Sequence, residues 1–337
     1  MPVSVTAIIT CYNYGRFVEE SIRSVLNQDW SGCSREIIVV DNESTDDTRQ
    51  RVEKFVPEVL YIHQKNQGQG GAFNTAFRHS SGEIICFQDA DDIWYPRKIV
   101  RVLEEFARHP EAGIVQHPLD AMDASGRVLW RASALTQADL RLEDLLEGRA
   151  QLIGAPGLSI RRSVFEKISP VPTDAPYCAD EYVSKHALFF APARTVPEAL
   201  GCLRIHGNNF YQKIDWKPEN IEKYLMIREH WDRHLERRLK ERGLRLSPLV
   251  ERLSLLERRK KEILLCGWRG RKSEGLAVWR RLKNENPASL FLAFKMASLL
   301  IAMISPSLYL NLQAGYEKFR WLPRLRMALL RENASLK

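Results

Sequence analysis

Three carboxylates close the stretch Phe87-Gln88-Asp89-Ala90-Asp91-Asp92. The apolar run at 83–87 predicts a buried strand that ends here, and a helix is predicted to open at Pro96. Clustered charges repel one another and lose hydration on burial, so a buried strand end tolerates them only with a compensating cation. A hard divalent ion such as Mg²⁺ or Mn²⁺ is the natural partner of carboxylate oxygens. An Asp-x-Asp triplet alone is commonly a turn or a cap, so its position at a strand end makes it informative.

Strand and helix patterns alternate from the N-terminus to this stretch. The sequence predicts strands at 3–9, 35–40, 59–62 and 83–87, and helices at 17–27, 45–55 and 72–79. A glycine-rich loop at 66–71 precedes the last of these helices. The alternation predicts an α/β fold built on a doubly wound, mostly parallel sheet. Ligands bind such sheets beyond the carboxyl ends of the strands, where every polar motif of this region falls.

Four of these motifs agree in order and spacing with one family. They are Ile-Thr-Cys-Tyr-Asn at 9–13, Val-Val-Asp-Asn-Glu-Ser-Thr-Asp-Asp-Thr at 39–48, Asn-Gln-Gly at 66–68 with Ala72 and Asn74, and Gln-Asp-Ala-Asp-Asp at 88–92 with Trp94, Pro96 and Lys98. Residues 5–98 therefore resemble the nucleotide-binding half of a family 2 glycosyltransferase of the GT-A type. The resemblance implies a nucleotide-diphospho-sugar donor, a divalent cation and transfer with inversion at the anomeric carbon.

The resemblance also assigns roles to individual residues. Thr10 and Tyr12 end the first strand, where a base can stack on the aromatic ring. Asp41 would accept hydrogen bonds from the base or ribose, Asp89 would hold the ribose, and Asp91 would bind the metal that bridges the phosphates. Such an ion acts as a Lewis acid on the departing diphosphate. The other expected donor-site residues are Asn13, Asn42, Ser44, Asn66, Gly68, Asn74 and Ala90, whereas Asp46, Asp47 and Asp92 fit a site or an ordinary turn equally well.

One motif departs from the family pattern. The family usually has Asp-Asp-Gly-Ser where this chain has Asp41-Asn42-Glu43-Ser44. The Asn42 amide both donates and accepts hydrogen bonds, whereas a carboxylate only accepts, so the base of the donor stays open between uridine and others. Glu43 in place of glycine predicts a different backbone conformation at this turn.

The second half of the predicted site supplies the acceptor side and a base. Residues 155–161 resemble the family strand beneath the acceptor, and 177–182 precede a helix predicted at 183–190. Family members carry an aspartate at such a helix start, which removes the proton from the attacking hydroxyl. The resemblance gives that role to Asp180, with Glu181 as the rival. Either carboxylate also suits the first turn of a helix as a cap.

The segment Leu203-Arg204-Ile205-His206-Gly207-Asn208-Asn209 resembles the closing motif of the family. The glycine and amides beside His206 favour a loop that faces the diphosphate, so His206 is a candidate metal or phosphate ligand. Arg204 fits either a phosphate contact or a surface charge.

Composition and length bound the rest of the chain. The 337 residues exceed one typical domain, and we expect a catalytic domain at 1–211 followed by a helical, basic region at 212–337. The six cysteines have irregular spacings, which favours a reducing compartment and thus a cytoplasmic protein. A strand predicted from Val3 leaves no room for a signal peptide. The sequence is compatible with a monomer and with an oligomer.

The C-terminal region suggests a surface for anions. Residues 228–272 hold 15 Lys or Arg against 7 Asp or Glu, an excess equal to the net charge of +8 of the whole chain. A solvated helical face and an anionic membrane surface both fit, whereas no nucleic-acid-binding motif is present. Between 288 and 316 the only charged residue is Lys295, and a helix at 289–305 would suit a membrane interface or a packed core equally well.

These patterns predict an inverting glycosyltransferase that acts on a hydroxyl of a glycan or lipid-linked acceptor in cell-surface polysaccharide or glycolipid synthesis. A nucleotidyltransferase of related fold is the first alternative, but it needs a lysine-bearing glycine-rich loop that residues 10–15 do not supply. A non-catalytic sugar- or membrane-binding scaffold is the second, and the intact set of Asp89, Asp91 and Asp180 argues against it.

Overall fold

A computed structural model describes residues 2–133, 135, 137–207, 209, 217–285 and 290–317. The chain forms two compact units, the first made of the described residues up to 209 together with 230–245. The second contains 217–229 and 246–317. The expected domain boundary after Tyr211 lies outside the described residues, and a division at that point stays a prediction.

The first unit is built on a large sheet with the strand order β3-β2-β1-β4-β10-β6-β11-β9. The pairs β1–β2, β1–β4, β2–β3 and β6–β11 are parallel, so the predicted mostly parallel α/β sheet is confirmed. A smaller sheet has the order β5-β12-β7-β8. The strands are β1 Val3–Cys11, β2 Cys33–Asn42, β3 Leu60–Gln64, β4 Ile84–Asp89, β5 Ile93–Trp94, β6 Ile114–Gln116, β7 Asp120–Asp123, β8 Val128–Trp130, β9 Asp139–Leu140, β10 Leu158–Arg161, β11 Ala193–Thr195 and β12 Gly201–Ile205.

The helices of the first unit pack their apolar faces on this sheet, because the central strands are buried on both sides. Helix α1 buries Val18, Ile22 and Val25 against the sheet core. The helices are α1 Gly15–Leu26, α2 Thr48–Glu53, α3 Gly68–Arg78, α4 Lys98–Arg108, α5 Leu142–Leu146, α6 Arg162–Ile168 and α7 Ala179–Ala187, and helix α8, Pro218–Glu241, ends in this unit.

Two helices begin earlier than the sequence predicts. Helix α3 starts at Gly68 rather than at residue 72, so most of the glycine-rich segment is helical. Its glycines serve close packing: a Cβ atom on Gly70 would lie 2.3 Å from the Pro172 carbonyl oxygen. Helix α7 starts at Ala179, which places Asp180 and Glu181 in its first turn.

The second unit has its own apolar core. Its helices are α9 Pro248–Trp268, α10 Lys272–Glu285, α11 Leu290–Ile304 and α12 Pro306–Glu317, with the start of α8. Met296, Leu299, Ala302 and Met303 of α11 are buried in this core, so one face of the predicted apolar helix packs against protein. Within the described ranges, no helix is both long and apolar enough to cross a bilayer.

Candidate functional site

A cavity of about 820 Å³ opens beyond the carboxyl ends of β1, β2 and β4. This is the position at which doubly wound sheets bind ligands, and the volume suits a ligand of nucleotide-sugar size. Its lining includes these residues of the predicted site: Thr10, Tyr12, Asn13, Asn42, Asn66, Gly68, Asp89, Asp91, Asp180, Arg204 and His206.

Asp89, which is half-buried, and the buried Asp91 and Asp92 form the floor of the cavity. Burial and then the charges of Asp91 and Asp180 hold the pKa of Asp89 well above its usual range. The pKa of Asp92 is raised in the same way by burial and by Asp91 and Asp89. The Asp89 carboxylate accepts hydrogen bonds from Thr10 Oγ1 at 3.5 Å and Gln69 Nε2 at 3.2 Å. Burial and the proximity of like charges therefore make it costly to ionise all of these acids together.

The segment 204–209, which covers the end of β12 and the loop after it, contacts Asp91. His206 Nε2 lies 2.9 Å from Asp91 Oδ2, and Asn209 donates to the same oxygen at 3.2 Å. Arg204 is 2% exposed, so the interpretation as a surface charge is wrong. Its guanidinium donates to the Asp91 carbonyl oxygen at 2.8 Å and pairs with Glu20 at 2.6 Å.

These residues suit a divalent cation. Asp91 and His206 offer one oxygen and one nitrogen donor beside two further acids, Asp89 and Asp92, whose pKa values are raised by burial and by neighbouring acids. A bound cation would offset the repulsion among these acids, and carboxylate oxygens are the donors that Mg²⁺ and Mn²⁺ prefer.

Asp180 and Glu181 point to different surroundings. Asp180 lines the cavity, accepts the backbone N–H of Ala155 at 2.9 Å, and has its pKa raised by burial. Glu181 is not among the lining residues and pairs with Lys185 at 2.5 Å. Adjacent residues of a helix point about 100° apart, which separates the two acids.

Four of the predicted donor-site residues lie behind the cavity wall rather than on it. Asp41 is buried, and its carboxylate accepts Ser44 N–H at 2.9 Å and Tyr61 Oη at 2.8 Å. Ser44 accepts Asn13 N–H at 2.8 Å. Asn74 binds both backbone groups of Val171, and Ala90 is fully buried in the core.

The turn after β2 keeps the conformation that glycine favours. Glu43 has φ +66°, in the left-handed region, so the expected change of backbone conformation is wrong. Asn13 also has positive φ, and its side-chain oxygen accepts Thr45 N–H at 2.8 Å. These bonds fix the turn that carries Asn42, whose amide donates to the Gly68 carbonyl oxygen at 2.9 Å.

Gln69 is a site residue that sequence reasoning missed. Its amide donates to Asp89 and accepts the backbone N–H of Ala179 at 2.9 Å, so it links the cavity floor to the start of α7. It lies inside the glycine-rich motif at 66–71, which was the available signal.

The region that carries most of these site residues matches a known protein family. Residues 6–169 match the profile of Glycosyl transferase family 2. Residues 6–169 form a glycosyl transferase family 2 domain. This match confirms the predicted family, and the mostly parallel α/β sheet agrees with the predicted GT-A type of fold.

Two relatives are similar to this chain in sequence. An uncharacterized glycosyltransferase of Nostoc sp. (strain PCC 7120) is 37% identical over 218 residues, which is 61% of this chain and 66% of that protein. The UDP-Glc:alpha-D-GlcNAc-diphosphoundecaprenol beta-1,3-glucosyltransferase WfgD of Escherichia coli is 37% identical over 97 residues, 28% of this chain and 38% of WfgD. The match thus spans less than two thirds of each relative.

Two solved structures share the fold. TarS 1-349 of S. aureus with UDP-GlcNAc has a TM-score of 0.54 at 19% identity, covering 67% of this chain and 65% of TarS. The mannosyltransferase PcManGT of Pyrobaculum calidifontis, solved with GDP-Man and Mn²⁺, has a TM-score of 0.54 at 19% identity. The likeness covers 93% of this chain and 85% of PcManGT. At this identity the likeness concerns the fold alone.

Proposed function

We propose that this protein transfers a sugar, with inversion, from a UDP-sugar to a hydroxyl of a glycan or lipid-linked acceptor. The observation that carries the proposal is that a half-buried acid with a raised pKa, Asp180, lines the same cavity as the Asp89–Asp91 floor. A binding module does not need a base beside its phosphate-binding residues, whereas a displacement does.

Asp180 is the proposed base. A single displacement with inversion needs one group that takes the proton of the attacking hydroxyl on the side opposite the leaving group. The raised pKa of Asp180 strengthens its carboxylate as a base, and the Ala155 N–H holds the side chain in the cavity. The Lys185 ion pair of Glu181 leaves that acid engaged elsewhere.

The donor would lie across the floor. Tyr12 is 44% exposed at the cavity rim, where its ring can stack on a base, and Thr10 and Asp89 lie below it. Asp91 and His206 would hold a divalent cation, which when bound stabilises the departing diphosphate as a Lewis acid. Uridine is favoured because WfgD is named for UDP-Glc and TarS was solved with UDP-GlcNAc.

The second unit is proposed to attach to anionic lipid, in keeping with the name of WfgD as an enzyme of a diphosphoundecaprenol acceptor. Large apolar side chains are exposed on α11 and α12: Ile304 at 67%, Leu308 at 50% and Leu312 at 53%. Leu308 and Leu312 are one turn apart on α12, and the basic residues of α9 lie in the same unit. Apolar side chains and basic residues are the two signals that stable peripheral binding needs.

A panel of nucleotide sugars tests the donor assignment. The full chain with Mn²⁺ or Mg²⁺ should bind and turn over a UDP-sugar in preference to the GDP- and TDP-linked ones, measured by calorimetry and by release of nucleoside diphosphate. Binding of no nucleotide sugar with either ion would overturn the proposed function.

A further inference from the structure

Helix α8 and the loop 169–178 of the first unit bring together two histidines and an aspartate outside the nucleotide-sugar cavity. His230 and His234 are one helical turn apart, with ring centroids separated by 4.8 Å. Asp174 Oδ1 lies 3.0 Å from His230 Nε2 and 3.6 Å from His234 Nε2. The three ligand atoms all lie within 4.8 Å of one another.

The two separations from Asp174, 3.0 Å and 3.6 Å, are close to those between neighbouring ligands of one metal ion. Ligand bonds of about 2.0–2.1 Å to a tetrahedral Zn²⁺ place neighbouring nitrogen and oxygen ligands about 3.3 Å apart. Two imidazoles and one carboxylate leave a further position for water. We propose that Asp174, His230 and His234 form a binding site for a first-row transition-metal ion of the Zn²⁺ class.

An ordinary ion pair does not account for the cluster. The His230 side chain is 8% exposed, and its Nε2 atom has no hydrogen-bond partner among the described residues, despite the nearby carboxylate. A buried nitrogen without a hydrogen bond is destabilising, and a ligand bond would offset that cost.

The site would tie α8 to a loop that also serves the cavity. Trp231 Nε1 donates to the Tyr177 carbonyl oxygen at 3.1 Å, and Gln69 N–H donates to Pro176 at 3.1 Å. Pro176, Tyr177 and Cys178 line the nucleotide-sugar cavity. A metal between Asp174 and α8 would therefore fix the loop on the side away from that cavity.

The test uses the full chain without a polyhistidine tag, in the Asp91→Asn background so that the nucleotide-sugar site does not contribute. The metal-free protein is titrated with ZnCl₂ by calorimetry and with CoCl₂ by visible absorption. One ion should bind, with the intense visible bands of tetrahedral Co²⁺. His234→Ala and Asp174→Asn should each weaken binding by more than about 100-fold, because even a hydrogen-bond partner of a ligand is worth about 10- to 100-fold.

His63→Ala, which removes an exposed histidine far along the chain, is the matched control and should bind as the parent does. Asp174 is an exposed loop residue with 67% of its side chain accessible, so its substitution tests the site even where a histidine variant fails to fold. The proposal is overturned if the parent binds neither ion, or if Asp174→Asn binds both as tightly as the parent.

Discussion

The carboxylate of Asp180 accepts the backbone N–H of Ala155 at 2.9 Å, across 25 residues of sequence. This contact holds an acidic side chain of α7 in the wall of the nucleotide-sugar cavity. Gly154 makes the approach feasible, because a Cβ atom there would lie 2.8 Å from Asp180 Oδ2. The position of the proposed base thus depends on a glycine that lies outside the donor motifs quoted from the sequence.

Gly154→Ala should therefore lower turnover while leaving donor affinity unchanged. The backbone at Gly154 has φ −73°, which alanine adopts without strain, so the added methyl group acts only through its contact with Asp180. A displacement of about 1 Å costs up to about 100-fold in rate. Steady-state kcat and calorimetric donor affinity measure the two effects separately. Wild-type kcat in this variant would contradict the role given to the contact.

Asp91→Asn removes a negative charge from the floor and one donor for a divalent cation. Metal-dependent binding of the nucleotide sugar should be lost, and turnover should fall by at least about 100-fold, since Lewis-acid stabilisation is worth several kcal/mol. Asp47→Asn is the matched control, because Asp47 is 47% exposed and pairs with Arg51 on the surface. Equal activity of the two variants with Mn²⁺ and Mg²⁺ would remove the metal assignment.

Lys98 predicts a specific dependence of stability on pH. It is fully buried, donates to the Pro156 carbonyl oxygen at 2.6 Å, and has its pKa lowered by burial from 10.5 to about 7. Between these values the unfolded chain binds one proton more than the folded chain. The free energy of unfolding of the first unit should therefore rise with pH by up to about 1.4 kcal/mol per unit, and level off below the folded pKa.

Lys98→Met isolates this contribution. The stability of the wild-type protein relative to the variant should increase between about pH 7 and 10, measured by urea unfolding followed with circular dichroism. Parallel curves for the two proteins over that range would show that Lys98 is protonated in the folded state.

The exposed apolar residues of α12 predict lipid binding that a surface variant can remove. Leu308→Ser with Leu312→Ser leaves the core of the second unit intact and should weaken co-sedimentation with anionic vesicles by about tenfold or more. Val128→Ser with Leu129→Ser on β8 alters a comparably exposed pair in the first unit and is the control. Charge is least screened at low salt, so a full-length protein that does not co-sediment with anionic vesicles under that condition would contradict lipid attachment.

The strands and the donor motifs of the first unit are local enough to be predicted from the sequence. Strands β1, β2 and β4 each end two residues beyond the predicted run, and their starts lie within two residues of the predicted ones. The carboxylates at 89–92 follow from position alone, because the end of a parallel strand points to the ligand side. The family resemblance then supplies the roles of Asp89 and Asp91.

The features that could not be predicted depend on contacts between residues that are distant in the sequence. The direction of Asp180 depends on where α7 begins, and that start lies four residues before the predicted helix. The sequence alone does not distinguish a phosphate contact from a surface charge at Arg204. Its pairing with Glu20, 184 residues away in sequence, is visible only in the structure. The His230-x-x-x-His234 spacing is visible in the sequence, but its partner Asp174 comes from a distant loop.

The most direct measurement compares the release of nucleoside diphosphate from a UDP-sugar by the wild-type protein, Asp180→Asn and Glu181→Gln. Asp180→Asn keeps the shape of the side chain and loses its basicity, so turnover should fall by about 10²- to 10⁴-fold at unchanged donor affinity. Glu181→Gln should stay near wild type. Because burial raises the pKa of Asp180, wild-type turnover should also decline on the acid side at a pH above the ordinary value of 3.8. Normal turnover by Asp180→Asn, together with an inactive Glu181→Gln, would contradict the assignment of the base.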